Sequence, residues 1–381
     1  MTRAPLPVVL AGARGHGRWH LANLRRLTAE GLVRLVGVCD LAPLTGAELD
    51  GLGTPEQSDD LDALLARTGA EAAVVCTPIH THAELGLTAA ARGVHLLLEK
   101  PPTPSLTEFG RLSQGVAAAG VACQVGFQSL GSDAVAAVRR TIADGVIGAV
   151  RGIGAAGAWV REESYWRRAR WGGLRTLDGR DVVDGVLTNP LAHAVATALR
   201  IDGADRADDV TGIDLELYRV NDIDADDTSC ARIRTAGGGR IVTAVTLAAE
   251  KPGEPYVVVH GEEGRVTFWY KADLVVLERH GRPPETTRYG RTDLLANLVA
   301  HLRDGTPLIV PLERTGAFTR LVEAVRTAPD PVRLPPGAWH TEPGETGPRR
   351  VVPGIDDLTA AGARDLALYS ELGVPWAVAP R

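Results

Sequence analysis

The sequence predicts an α/β fold in two parts. A doubly wound parallel sheet comes first, and an α+β domain with a large open, mostly antiparallel sheet follows. Three observations predict it. Short apolar runs alternate with helical patterns over roughly the first 125 residues. Six strand-like runs, several of them separated by glycine or polar turns, then follow with no helical pattern between them. Within the first of these textures, Leu96-Leu97-Leu98 reads as a buried parallel strand that runs straight into Glu99-Lys100-Pro101-Pro102. Proline cannot continue a ladder, so the chain turns there and delivers Lys100 at the carboxyl end of a central strand, where open α/β sheets bind ligands.

At 381 residues the chain is long enough for two domains, and 45% hydrophobic content suits a sizeable core. A net charge of -6 and a pI near 6.0 give no basic footprint, so nucleic acid is excluded as a partner. No apolar run reaches membrane-spanning length, and the N-terminus carries no signal-peptide core. Cys39, Cys76, Cys123 and Cys230 stand apart without a CxxC pair, which predicts free thiols and a cytoplasmic setting. Lysine occurs only at 100, 251 and 271 in an arginine-dominated chain, so a lysine at a strand end points to a need for an ammonium that can also lose its proton.

Taken in order, Pro7 to Ala11 is a strand, and Gly12-Ala13-Arg14-Gly15-His16-Gly17 leads into a helix through Leu21, Leu24 and Leu27. Strand, glycine turn, helix is the context of a dinucleotide fingerprint, with Arg14 where the second glycine normally stands. The next strand, Val33 to Val38, leads to Asp40, an acid placed to meet the hydroxyls of a ribose. Glu71 to Thr77 is a third strand, closing on Thr77-Pro78. His80 to Arg92 is a helix, and Ser105 to Ala119 and Val121 to Phe127 complete the alternation. His80 and His82 have no third metal-type ligand nearby, so they read as a helix start and ligand-facing loop, and no metal is expected.

Beyond Gly126, Asp133 to Ala143 is helical and Val146 to Val160 is a glycine-interrupted strand. Arg161 to Arg175 is a polar, aromatic loop. Tyr165, Trp166, Arg170 and Trp171 in it suit a sugar, with aromatic faces for its CH surfaces and arginines for its hydroxyls or an anionic group. Packing of this loop against the tail or a partner subunit is the competing reading. Asn189-Pro190 predicts a helix start with Asn189 as cap, placing His193 in the first turn, where the helix dipole favours a neutral imidazole. Strands follow at Val210 to Val220, Ser229 to Thr235, Arg240 to Leu247, Tyr256 to His260, Arg265 to Tyr270 and Leu274 to Leu277. Helices are expected at Thr292 to Arg303, Arg314 to Arg326 and Asp356 to Leu372. These elements divide the chain into domains 1–126 and 127–330, with 331–381 as an extension wrapping back onto the body. The large sheet has too few helices to cover both faces, which predicts a homodimer or homotetramer through it.

Taken together, these features resemble the glucose–fructose oxidoreductase and inositol dehydrogenase family (Gfo/Idh/MocA). They are the glycine turn with His20, Thr77-Pro78 with His80 and His82, Glu99-Lys100-Pro101, Val125-Gly126-Phe127 and His193 at a helix start. The resemblance implies a Rossmann domain and hydride transfer between a nicotinamide and a sugar, glycoside or cyclitol, and the acid at Asp40 favours NAD over NADP. It implies that Lys100 touches the reacting hydroxyl and His193 is the acid/base, with the chemistry between the two domains. A cofactor set of Gly12, Arg14, Gly15, His16, Gly17 and Asp40 follows from the turn and second strand. Thr77, Pro78, His80, Glu99, Lys100 and Gln128 complete it. Lys100, Asn189 and His193 with the aromatic loop form the expected substrate set. Asn189 stands where the family often has an aspartate. A redox-neutral, NAD-assisted glycoside-cleaving enzyme and a non-catalytic dinucleotide-sensing regulator are the alternatives.

Overall fold

A computed structural model describes residues 4–379, so the termini of the 1–126 and 331–381 segments lie outside the described residues. The chain divides into two compact units. One runs to Phe127 and takes in Thr292–Thr315, and the other comprises Gln128–Arg291 with the chain from Gly316 onward.

In the first unit, β1 (Leu6–Ala11), α1 (Gly17–Ala29), β2 (Val33–Cys39), β3 (Glu56–Ser58) and α2 (Leu61–Thr68) come in order. β4 (Ala72–Val75), α3 (His82–Ala91), β5 (His95–Leu98), α4 (Leu106–Ala119) and β6 (Cys123–Val125) complete the alternation. The six strands are all parallel, in the order β3-β2-β1-β4-β5-β6. Parallel strands buried on both faces need apolar runs, and β4 with Leu96, Leu97 and Leu98 of β5 is at most 2% exposed. Ser105 caps α4 through the amide of Glu108, and Gly120 ends it with a left-handed residue.

The second unit opens with α5 (Asp133–Ala143), β7 (Val150–Ala158), the short α6 (Glu163–Trp166), the small pair β8 (Thr176–Leu177) and β9 (Arg180–Asp181), and α7 (Ala192–Asp202). Then come β10 (Val210–Arg219), β11 (Thr228–Thr235), β12 (Arg240–Thr246), β13 (Tyr256–Gly261), β14 (Gly264–Trp269), β15 (Leu274–Arg279) and β16 (Glu285–Arg288). After α8 (Leu294–Asp304), which lies in the first unit, the chain returns with α9 (Gly316–Thr327), β17 (Val332–Arg333), β18 (His340–Glu342), β19 (Arg349–Val351) and α10 (Ile355–Asp365). Nine strands form one mixed sheet, β16-β15-β14-β13-β7-β12-β11-β10-β17, parallel at β7–β12 and β10–β17 and antiparallel elsewhere.

Three features differ from the sequence reading. Residues 292–315, read as part of the second domain, pack in the first unit. There the buried Gln124 amide donates to Leu294 O and Asn297 Oδ1, and its Oε1 accepts from Val310 N. The tail helix ends at Asp365 rather than Leu372, because Leu366 takes φ 53 and the chain turns to insert Leu368 and Tyr369 into the core. Finally, the premise that the large sheet lacks cover fails over β7 and β10–β12. Gly157 on one face of β7 leaves room for Leu191 at the start of α7, and Gly154 on the other lets Ala363 O of α10 approach. The tail thereby closes a core of Tyr218, Cys230, Val242, Ile355 and Tyr369.

Candidate functional site

The first unit supplies a turn and a strand end. At Gly12 (φ +85) a Cβ would lie 2.3 Å from Cys76 O, and one at Gly17 would lie 2.1 Å from Gly12 O, so only glycine closes this turn. A Cβ at Gly15 would meet nothing, so the space over the turn is open. The N–H groups of Arg14, Gly15 and His16 take no acceptor among the described residues. Three such amides before α1 form a cradle for a phosphate, and the turn therefore fits a dinucleotide despite lacking its middle glycine. Arg14 itself is held away by Glu48 (2.5 Å) and Pro43 O (3.1 Å). Asp40 follows β2 and accepts from Ala13 N at 2.8 Å, which fixes its carboxylate beside the turn.

Lys100 follows β5 by two residues. The buried Glu99 joins that strand end to the turn, since its Oε1 accepts from His20 Nε2 at 2.9 Å and lies 3.6 Å from His16 Nε2. Its Oε2 accepts from the Lys100 amide at 3.0 Å. Burial alone would raise Glu99. The hydrogen bonds from His16 and His20 outweigh that and hold it well below the usual carboxylate range. Gly126 leaves the room this carboxylate needs, as a Cβ there would stand 2.6 Å from Oε1.

Glu99→Gln should destabilise by about 1–3 kcal/mol, because the amide places a donor against the Lys100 N–H. A carboxyl with a depressed native pKa loses its stabilisation as pH falls through that value, so the gap between parent and variant should narrow in acid below about pH 4. Urea melts across pH check both.

His82 is no ligand-facing residue. It is buried, with Nδ1 2.8 Å from Pro101 O and Nε2 2.8 Å from Thr77 O, and burial holds its pKa down. It ties the turn after β5 to the end of β4. His80, Thr77 and Pro78 are half-buried beside it, and Thr77 Oγ1 lies 2.6 Å from Thr81 Oγ1. Among the described residues, His16, His20 and Glu99 form a three-ligand group of the kind that holds metals, although Glu99 is already taken up by hydrogen bonds.

The second unit supplies His193 on α7. Its Nδ1 lies 3.1 Å from Ser129 Oγ, which accepts from Thr197 Oγ1 at 3.0 Å. The Tyr270 ring lies 6.4 Å away. Thr197 is one turn beyond His193, a spacing visible in the sequence, whereas Ser129 lies 64 residues away and carried no signal. Asn189 is not the helix cap, which is Leu191 without a side-chain bond. Its Nδ2 instead donates to Asp184 Oδ1 at 2.6 Å. The buried Asp184 also accepts from both Arg168 (2.7 Å) and Gly173 N (2.7 Å), and burial pushes its carboxyl up against those favourable partners.

The aromatic loop divides. Arg168 is clamped between Tyr165 (3.9 Å) and Trp171 (4.5 Å) while it pairs with Asp184. Trp166 is 8% exposed and packs under Gly173, so it is core rather than substrate wall. Arg170 lies out in solvent with Asp178. Tyr165 and Trp171 remain half-buried on the loop. The tail holds this loop from behind, where Glu162 accepts from the amides of Glu345 and Thr346 and Glu163 N donates to Pro348 O. Gln128 is half-exposed, and its carbonyl accepts from Arg291 at 2.6 Å.

A parallel sheet with an open amide cradle, an acid beyond β2 and a lysine beyond β5 defines a dinucleotide-binding α/β protein. Residues 6–127 match the oxidoreductase family with an NAD-binding Rossmann fold, GFO_IDH_MocA. A scyllo-inositol 2-dehydrogenase (NAD(+)) from Bacillus subtilis is 38% identical over 135 residues, 35% of this chain and 38% of that protein. Inositol 2-dehydrogenase 4 from Saccharopolyspora erythraea is 32% identical over 149 residues, 39% of this chain and 44% of that protein. The chain thus spans about two fifths of the length of these curated relatives. The WlbA dehydrogenase from Bordetella pertussis, solved with NADH and UDP-GlcNAcA, shares the fold at 21% identity and a TM-score of 0.69, over 84% of this chain and 95% of that one.

Proposed function

We propose that this protein is an NAD-dependent oxidoreductase moving hydride between nicotinamide and a hydroxyl or keto carbon of a sugar, glycoside or cyclitol. The observation that carries it is the link through Glu99 between the open amide cradle and the strand end bearing Lys100. In this reading the link holds the Lys100 backbone at a fixed station beside the turn that takes the phosphates. The inositol dehydrogenases that match the first unit support the substrate class. NAD supplies the hydride acceptor.

Lys100 holds the reacting oxygen and stabilises its developing charge, while His193 takes the hydroxyl proton. Ser129 Oγ, 3.1 Å from His193 Nδ1, holds the ring orientation for that role. NADH formation over a panel of cyclitols and sugars tests the reading, and its absence across the panel contradicts it. The setting is cytoplasmic, in keeping with four cysteines that are all free; among the described residues no helix is long and apolar enough to cross a membrane.

Asp40 accepts from the ribose hydroxyls and repels a 2′-phosphate, and Arg14, committed to Glu48, does not offset it. Calorimetry should find NAD bound more tightly than NADP, and equal affinities would remove this role from Asp40. Self-association, as a homodimer or homotetramer, uses the β14–β16 end of the sheet, where the Trp269 ring lies tilted 6.0 Å from that of Tyr256 and Leu274 pairs with Trp269. Light scattering at micromolar concentration should show more than a monomer.

A further inference from the structure

Five arginines lie on the aromatic segment of the second unit, and four are neutralised: Arg167 by Glu163, Arg168 by Asp184, Arg170 by Asp178 and Arg175 by Asp330. Arg161 has no carboxylate partner among the described residues. Its guanidinium sits 4.9 Å from the Trp159 ring and 4.8 Å from the Tyr165 ring. Nη1 donates to Val160 O at 2.9 Å, and Nε is buried with no partner among the described residues. Arg168 also lies over Tyr165, at 3.9 Å, and Lys271 lies 5.4 Å from Trp159. Aromatic faces orient a guanidinium without cancelling its charge, and its N–H edges stay directed into the plane, where a carboxylate or phosphate accepts them. Holding an uncompensated guanidinium partly out of water is costly, and a ligand oxyanion relieves that cost.

We propose that Arg161 is a substrate-binding residue for an oxyanion, and that the substrate is a sugar bearing a carboxylate or phosphate rather than a neutral one. This rests on the dehydrogenase reading above and narrows its substrate class. Tyr165 serves as the platform that fixes the guanidinium.

The test compares a hexose, the matching hexuronate and the hexose phosphate as NAD-dependent substrates of the full chain, its Arg161→Gln variant and its Arg161→Lys variant. The parent should favour one of the two acidic sugars, and the preferred arm identifies the oxyanion. Arg161→Gln should lower kcat/KM for that sugar by about 10–100-fold, mainly through KM, and by far more than for the hexose. Arg161→Lys should recover part of the loss. Sulfate should compete with the acidic sugar in the parent, and that competition should weaken in Arg161→Gln.

A parent that prefers the hexose, or an Arg161→Gln loss equal for neutral and acidic sugars, overturns the proposal. Calorimetry separates its failure from that of the dehydrogenase reading. Hexuronate or phosphate binding that needs Arg161 but yields no NADH leaves the oxyanion site standing and removes the activity. Hexose oxidation indifferent to Arg161 does the reverse.

Discussion

Lys100→Ala lowers turnover by about 10²–10⁴-fold while NAD affinity stays near that of the parent. The two effects separate because the proposed phosphate cradle is made of backbone amides of the Gly12 to Gly17 turn, which the substitution does not touch. The lysine reaches the chemistry from a backbone anchored on both sides: Glu99 N donates to Val75 O at 2.9 Å, and the Glu99 side chain accepts from the Lys100 amide. Loss of NAD affinity equal to the loss of turnover would instead make Lys100 a cofactor clamp. Stopped binding and steady-state rates on one preparation distinguish the two.

His193→Ala loses a similar factor, about 10²–10⁴-fold, with partial recovery as pH rises and hydroxide replaces the missing base. The side chain is held through Ser129 Oγ, which Thr197 in turn supports, so Ser129→Ala should lose less than His193→Ala and shift the pH–rate profile. A positioning residue behaves in that way, whereas one that only packs would move the melting temperature and leave the profile in place. If His193→Ala turns over like the parent while Lys100→Ala does not, Lys100 is itself the base.

The parallel sheet was legible because its strands are buried on both faces and therefore written as unbroken apolar runs ending in ligand-side residues. β16 was not, since Glu285–Arg288 is exposed throughout and has no apolar period to read. The positions of the glycine turn, Asp40, Lys100 and His193 on their elements were legible, because each sits at a fixed local offset from a strand end or a helix start. The site was illegible where partners meet across sequence. The Asp184 carboxylate that gathers Asn189, Arg168 and Gly173 N overrode a sound local capping signal at Asn189-Pro190, because a buried carboxylate needs more donors than an exposed helix start does. Trp166 misled for a related reason. An aromatic in a polar loop looks like a ligand wall until Gly173 is seen to make room beneath it.

The most direct measurement is a single turnover with a substrate deuterated at the carbinol carbon, followed by analysis of both cofactor and product. Direct hydride transfer with net oxidation predicts deuterium in the reduced nicotinamide, one equivalent of it per enzyme site, and a keto product. Deuterium returned to a cleaved product with no reduced cofactor left would contradict it, and so would an unlabelled cofactor beside unchanged substrate.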